Sequence, residues 1–194
     1  MALQQSLEWQ QKGHALPVAI NISVVNLQDP TFPAQVVEML RAYAVPPELL
    51  EMEITETALM HDPLCAIETI KKLNDIGIVT SIDDFGTGYS SMAYLKKLLV
   101  RKIKVDKSFV MEMIDSGNDN VIVHAIIELA HNLGLVVIAE GVEDEATLAR
   151  LKSLGCDTAQ GYHMSRPLSA DKLEEWLEKS TWLPSKTNIL AGPR

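Results

Sequence analysis

Strand-like and helix-like stretches alternate along the chain. Runs at 17–24, 49–55, 78–82, 102–105, 135–139 and 158–162 are mostly apolar and rich in Val and Ile. Such runs fit strands covered on both faces. Between them the apolar residues fall at helical spacing: Val36, Val37, Leu40 and Tyr43 in 33–43, and Cys65, Ile67, Ile70 and Leu73 in 62–76. The same holds for Val123, Ile126, Ile127 and Ala130 in 120–133, and further helices are predicted at 144–154 and 170–177. Gly77, Gly134 and Gly155 each follow a predicted helix, where a left-handed C-cap is favoured. A helical segment at 2–11 precedes the first strand, and 181–194 reads as a loose tail. Six strand–helix units predict a parallel α/β sheet. They fit an open, doubly wound sheet, or a (β/α)8 barrel without its first quarter.

Polar residues stand where these strands end. The first run carries Asn21 and Ser23, the second Glu53 and Glu56, the third Asp83 and Asp84. The fourth carries Lys104 and Asp106, the fifth leads into Glu140 and Glu143, and the sixth holds Gln160. In parallel α/β folds the C-terminal strand ends form the ligand face. One Asp or Glu there is more often a helix cap or a surface charge. Six consecutive strands delivering carboxylate, amide or ammonium groups to one rim predict an acidic pocket that a cation must neutralise. An all-oxygen donor set favours Mg²⁺ or Mn²⁺ over zinc or copper. The loop after Asp84 holds two glycines, but it lacks the third glycine of a dinucleotide fingerprint.

Composition narrows the function classes. The chain has 194 residues, 47% hydrophobic and 22% charged, as in an ordinary globular domain. Its two cysteines exclude a disulfide scaffold and a Cys-based zinc site, so a reducing cytoplasm is the default. No apolar run is long enough for a membrane span, and no signal peptide is visible at the start. A net charge of −9 argues against tracking a DNA or RNA backbone. It leaves room for a small phosphate ligand held through divalent cations. The five histidines are scattered, and no Ser-His-Asp order is discernible.

The strings NIS (21–23), EITET (53–57), DDFGTGYSS (83–91), IKVDKSFV (103–110), AEGVE (139–143) and QGYHMSRPL (160–168), in this order, resemble the EAL domain, the cyclic di-GMP phosphodiesterase domain of bacterial signalling proteins. The resemblance covers about residues 2–180, so 1–180 is expected to be one domain. It implies a TIM-like (β/α)8 barrel whose third to eighth strands are the six units here. The family's first two strands, including the one with the Glu-Ala-Leu motif, would lie upstream of Met1. No Glu-Ala-Leu string occurs in the chain.

By resemblance, Asn21, Glu53 and Asp83 would bind one metal, and Asp83 would bridge to a second held with Asp84 and Glu140. Lys104 would position the attacking water and stabilise charge on the phosphate. Gln160 would join the water and ligand network. Glu56 and Glu143 would order the loop of Phe85, Gly86, Thr87, Gly88, Tyr89, Ser90 and Ser91. Two divalent ions about 4 Å apart activate a shared water and clamp a phosphate for in-line displacement. The implied reaction opens cyclic di-GMP to linear pGpG. Leu98-Leu99 replaces a Leu-Pro pair common in the family, and Val100-Arg101 follows where an acidic residue is common. These departures bear on a dimer surface rather than on chemistry.

Three functions fit this reading. The chain is a metal-dependent hydrolase, a module that binds cyclic di-GMP without cutting it, or a partner-stabilised interaction protein. A barrel lacking two strands would expose two sheet edges, which invite dimerisation. An upstream sensor or diguanylate-cyclase domain is a further expected partner.

Overall fold

The computed structural model describes residues 1–88 and 92–182. Tyr89, Ser90 and Ser91 of the predicted loop, and all of the predicted tail beyond Trp182, lie outside the described residues.

Helix α1 (Ala2–Gln11) leads into β1 (Val18–Asn21), α2 (Val24–Gln28) and α3 (Phe32–Ala42). Next come β2 (Leu50–Thr55), α4 (Glu56–His61), α5 (Pro63–Ile76), β3 (Val79–Phe85) and α6 (Met92–Leu95). They are followed by β4 (Lys102–Val105), α7 (Lys107–Glu112), α8 (Gly117–Asn132) and β5 (Val136–Glu140). The last elements are α9 (Glu145–Ser153), β6 (Thr158–Gln160) and α10 (Ala170–Lys179). The six predicted strands are present. The short helices α2, α4, α6 and α7 are additions, each too brief to show a helical period in sequence. The third strand runs on through Asp83 and Asp84 to Phe85, and the sixth stops at Gln160 rather than at 162. Gly77, Gly134 and Gly155 take φ of 102°, 74° and 78°, the left-handed caps read from their positions.

All six strands are parallel and pair in sequence order, β1 to β6, with β1 and β6 at the edges among the described residues. An open doubly wound sheet would place its first strand inside the order; here consecutive pairing curls the sheet into part of a TIM-like barrel. Strand alternation sorts its two faces. Leu50, Met52, Ile54, Ile82, Ile103, Val105, Val137 and Ala139 are buried in the core on the helix-covered side. The opposite, inner face carries Glu51, Glu53, Ser81, Asp83, Lys102, Lys104 and Glu140. A polar lining on one face and aliphatic packing on the other is what positions the site.

Candidate metal centre

Lys104 organises the inner face. Its Nζ lies 2.9 Å from Glu53 Oε1, 3.0 Å from Asp83 Oδ1 and 2.7 Å from Glu140 Oε1, and its side chain is only 6% exposed. Burial alone would lower its pKa, but hydrogen bonds to Glu140, Glu53 and Asp83 raise it above the ordinary lysine value. The ammonium is therefore a fixed positive charge at neutral pH and no proton acceptor. Glu53 is pushed up chiefly by burial, against the lowering effect of Lys104.

Asp83, Asp84 and Glu140 each offer an oxygen within 4.8 Å of the other two, the one such cluster among the described residues. Consecutive residues of a regular strand point to opposite faces. Here β3 bulges: Ile82 is level with Ile103 and Phe85 with Val105, so three steps on one strand match two on the other. Asp84 takes φ 53°, a left-handed conformation that a short polar residue tolerates better than most. Its N–H donates to Asp83 Oδ1 at 3.1 Å. Burial and the negative charges of Asp83, Asp106 and Glu140 hold the Asp84 carboxyl above the usual range.

Asp106 belongs to this network. Its charge helps to raise the Asp84 carboxyl, and against the opposing effect of burial, hydrogen bonds from Ser108 keep its own pKa below the ordinary aspartate value. In sequence it stands beside Lys104 and reads as the cap of α7, which it also is, accepting from Ser108 N at 2.9 Å. In sequence it also falls on the rim that carries Asp83 and Asp84.

Glu56 is buried at the start of α4. Its Oε2 accepts from Gly86 N at 2.9 Å and Gly88 N at 3.2 Å. A Cβ on Gly88 would lie 2.8 Å from Glu56 Oε1, so the loop approaches this carboxylate as only glycine allows. Thr87 Oγ1 donates to the Asp84 carbonyl at 2.8 Å, tying the loop back to the bulge.

The remaining predicted residues sit around this core. Asn21 is level with Glu53 across β1 and β2, and its side chain is exposed. Gln160 is level with Glu140 across β5 and β6 and is also exposed. Glu143 is exposed and makes no hydrogen bond or ion pair among the described residues. Ser23 caps α2 in a reciprocal pair with Asn26. His131 and His163 pair with Asp157 and Glu145, away from the carboxylate cluster.

Comparison with known proteins follows the same residues. The family model for the EAL domain matches residues 1–167. The chain is 43% identical over 166 residues to the cyclic di-GMP phosphodiesterase NbdA of Pseudomonas aeruginosa, covering 85% of this chain and 21% of that protein. It is 40% identical over 176 residues to the signalling protein YkoW of Bacillus subtilis, covering 91% of this chain and 22% of that one. The chain thus spans less than a third of the length of these curated relatives. Among solved structures, the EAL domain of Mycobacterium smegmatis DcpA superposes with a TM-score of 0.86 at 35% identity, covering 92% of this chain and 81% of that one. A structure described as the PaMucR phosphodiesterase in complex with c-di-GMP gives 0.85 at 37% identity, covering 89% and 70%. With the family match running from the first helix past the sixth strand, and with these superpositions on the curled sheet, the chain belongs to the EAL domain family.

Proposed function

We propose that the chain carries the catalytic machinery of a metal-dependent phosphodiesterase that opens cyclic di-GMP to linear pGpG. The observation that carries this reading is the cluster of Asp83, Asp84 and Glu140 beside the buried Lys104. Its donors fit hard divalent cations: they are all carboxylate oxygens, and one lysine does not balance Glu53, Asp83, Asp84 and Glu140. Burial first, and then the neighbouring negative charges, hold the Asp84 carboxyl above the usual range. Mg²⁺ or Mn²⁺ is the cation of choice on ligand chemistry.

In this reading Asn21, Glu53 and Asp83 hold one cation, and Asp83, Asp84 and Glu140 hold the second. Bound there, the cations supply an acidified water and charge neutralisation for the phosphate. Lys104 keeps its proton on Nζ and donates hydrogen bonds where negative charge develops on the phosphate. Gln160, on the same rim, orients water and ligand. Glu56 holds the Gly86–Gly88 backbone and so the Asp84 turn, while Glu143 is assigned to the loop by the resemblance alone. Cytoplasmic location, a homodimer and an upstream sensor or diguanylate-cyclase domain belong to the same proposal. No helix among the described residues is long and apolar enough to cross a membrane.

A second reading is that the chain binds cyclic di-GMP without turnover. One experiment separates the two. The purified chain is incubated with cyclic di-GMP and Mn²⁺ or Mg²⁺, and the nucleotides are resolved by chromatography. Linear pGpG, abolished by Asp83→Asn, supports hydrolysis. Binding by calorimetry without pGpG, from a folded sample, supports the second reading, and failure to bind the nucleotide at all overturns both.

A further inference from the structure

One layer below the carboxylate cluster, the inner face repeats its own pattern. Lys102 Nζ pairs with Glu51 Oε2 at 2.5 Å, with the side chains 30% and 9% exposed. Lys102 and Lys104 are two residues apart on β4; Glu51 and Glu53 are two residues apart on β2. By register Lys102 is level with Ser81, and Ser81 with Glu53. Each lysine therefore reaches diagonally across β3 by the same step, Lys102 to Glu51 and Lys104 to Glu53. Ser81 lies between the two pairs, fully buried, and its Oγ has no hydrogen-bond partner among the described residues. Two parallel diagonals on one face are a register device, because a slip of β4 against β2 would break both at once.

The charges of the two layers differ. The lower layer is neutral, one lysine against one carboxylate. The upper layer sets one lysine against four carboxylates, Glu53, Asp83, Asp84 and Glu140. Two residues along a strand are about 7 Å, close enough for the lower charges to act on the upper site through the protein interior. We infer that Glu51 and Lys102 are positioning residues for the cation site: their pair holds Lys104 on its diagonal and cancels the charge that either partner alone would impose from below. This inference rests on the cation-site reading proposed above.

The test compares the unmodified chain with E51Q, K102M, K102R and the E51Q/K102M double variant. Mn²⁺ alone is the probe, with free Mn²⁺ read by electron paramagnetic resonance. E51Q leaves a bare positive charge and is expected to weaken Mn²⁺ binding about tenfold, whereas K102M leaves a bare negative charge and strengthens it severalfold. The double variant and K102R should lie within about twofold of the unmodified chain. Opposite signs that cancel in the double variant support the inference. Equal losses in both single variants, tracking their thermal stability, or no change in either, overturn it. The Lys104 ammonium resonance, read by ¹H–¹⁵N NMR in metal-free protein, is an independent measurement: it moves in E51Q and K102M if the pair positions Lys104, and its staying fixed overturns the inference. Lack of Mn²⁺ binding and of hydrolysis in the unmodified chain would sink the cation-site reading, and the ammonium resonance would still decide the positioning role.

Discussion

Asp83 and Asp84 are chain neighbours whose carboxylates both serve one cluster, because β3 bulges between Ile82 and Phe85 and Asp84 sits at φ 53°. The bulge overrides the strand parity that would send Asp84 into the helix layer. Backbone and charge at this position are separable by mutation. Asp84→Asn keeps a side chain that tolerates the left-handed region, so its melting temperature should stay near that of the unmodified chain, while Mn²⁺ affinity falls at least tenfold. Asp84→Val adds backbone strain of about 1–2 kcal/mol and should lower the melting temperature as well. Equal melting temperatures for the two variants would refute the role of the turn.

Lys104→Met removes the only cation that touches Glu53, Asp83 and Glu140 among the described residues. Stranding a buried carboxylate set costs about 3–5 kcal/mol in the metal-free protein. Added Mg²⁺ supplies replacement charge, so the gap in melting temperature between variant and unmodified chain should narrow with Mg²⁺, while hydrolysis stays abolished. The same geometry fixes a pH dependence. The raised Lys104 pKa means that its stabilisation is complete below the ordinary lysine value and is lost as pH rises through the folded-state value. Alkaline unfolding should therefore flatten in Lys104→Met, and an unchanged alkaline limb would contradict the pairing.

Glu56 and Gly88 form a contact that tolerates little change on either side. Glu56→Ala leaves the Gly86 and Gly88 N–H groups to partial solvent, a loss of about 1–2 kcal/mol. Gly88→Ala drives a methyl group into the Glu56 carboxylate. Both variants should lower kcat for cyclic di-GMP more than they lower Mn²⁺ affinity, since the loop is disturbed and the carboxylate cluster is kept. Kinetics and Mn²⁺ titration on the same samples check this, and an unaltered kcat would remove the loop from the mechanism.

Asp144 caps α9 and accepts from Thr147 N at 2.7 Å. That backbone bond holds its pKa below the ordinary aspartate value. Its contribution to stability is present above the ordinary value and fades as pH falls through the lowered one. Asp144→Ala should be less stable than the unmodified chain at neutral pH, and the difference should close in acid. A difference that persists below both pKa values would point to packing instead of charge.

The alternation of six strands with helices, the left-handed caps after three helices, and the carboxylate, amide and ammonium groups at the strand ends are all legible in the chain alone. Those are local properties: strand parity, helical spacing and a glycine's freedom at one position are visible in a short window. The short helices escape such a reading because one or two turns show no period. Which of the polar groups meet is a matter of the folded sheet. Lys104 finds Glu53, Asp83 and Glu140 through the register of four strands, and Lys102 finds Glu51 through the same diagonal. Asp84 joins Asp83 through a bulge that breaks parity, the charge of Asp106 at the end of β4 acts on Asp84, and Glu56 reaches a loop 30 residues on. Each of these depends on how the strands are offset and how the sheet curls, and no spacing along the chain encodes that.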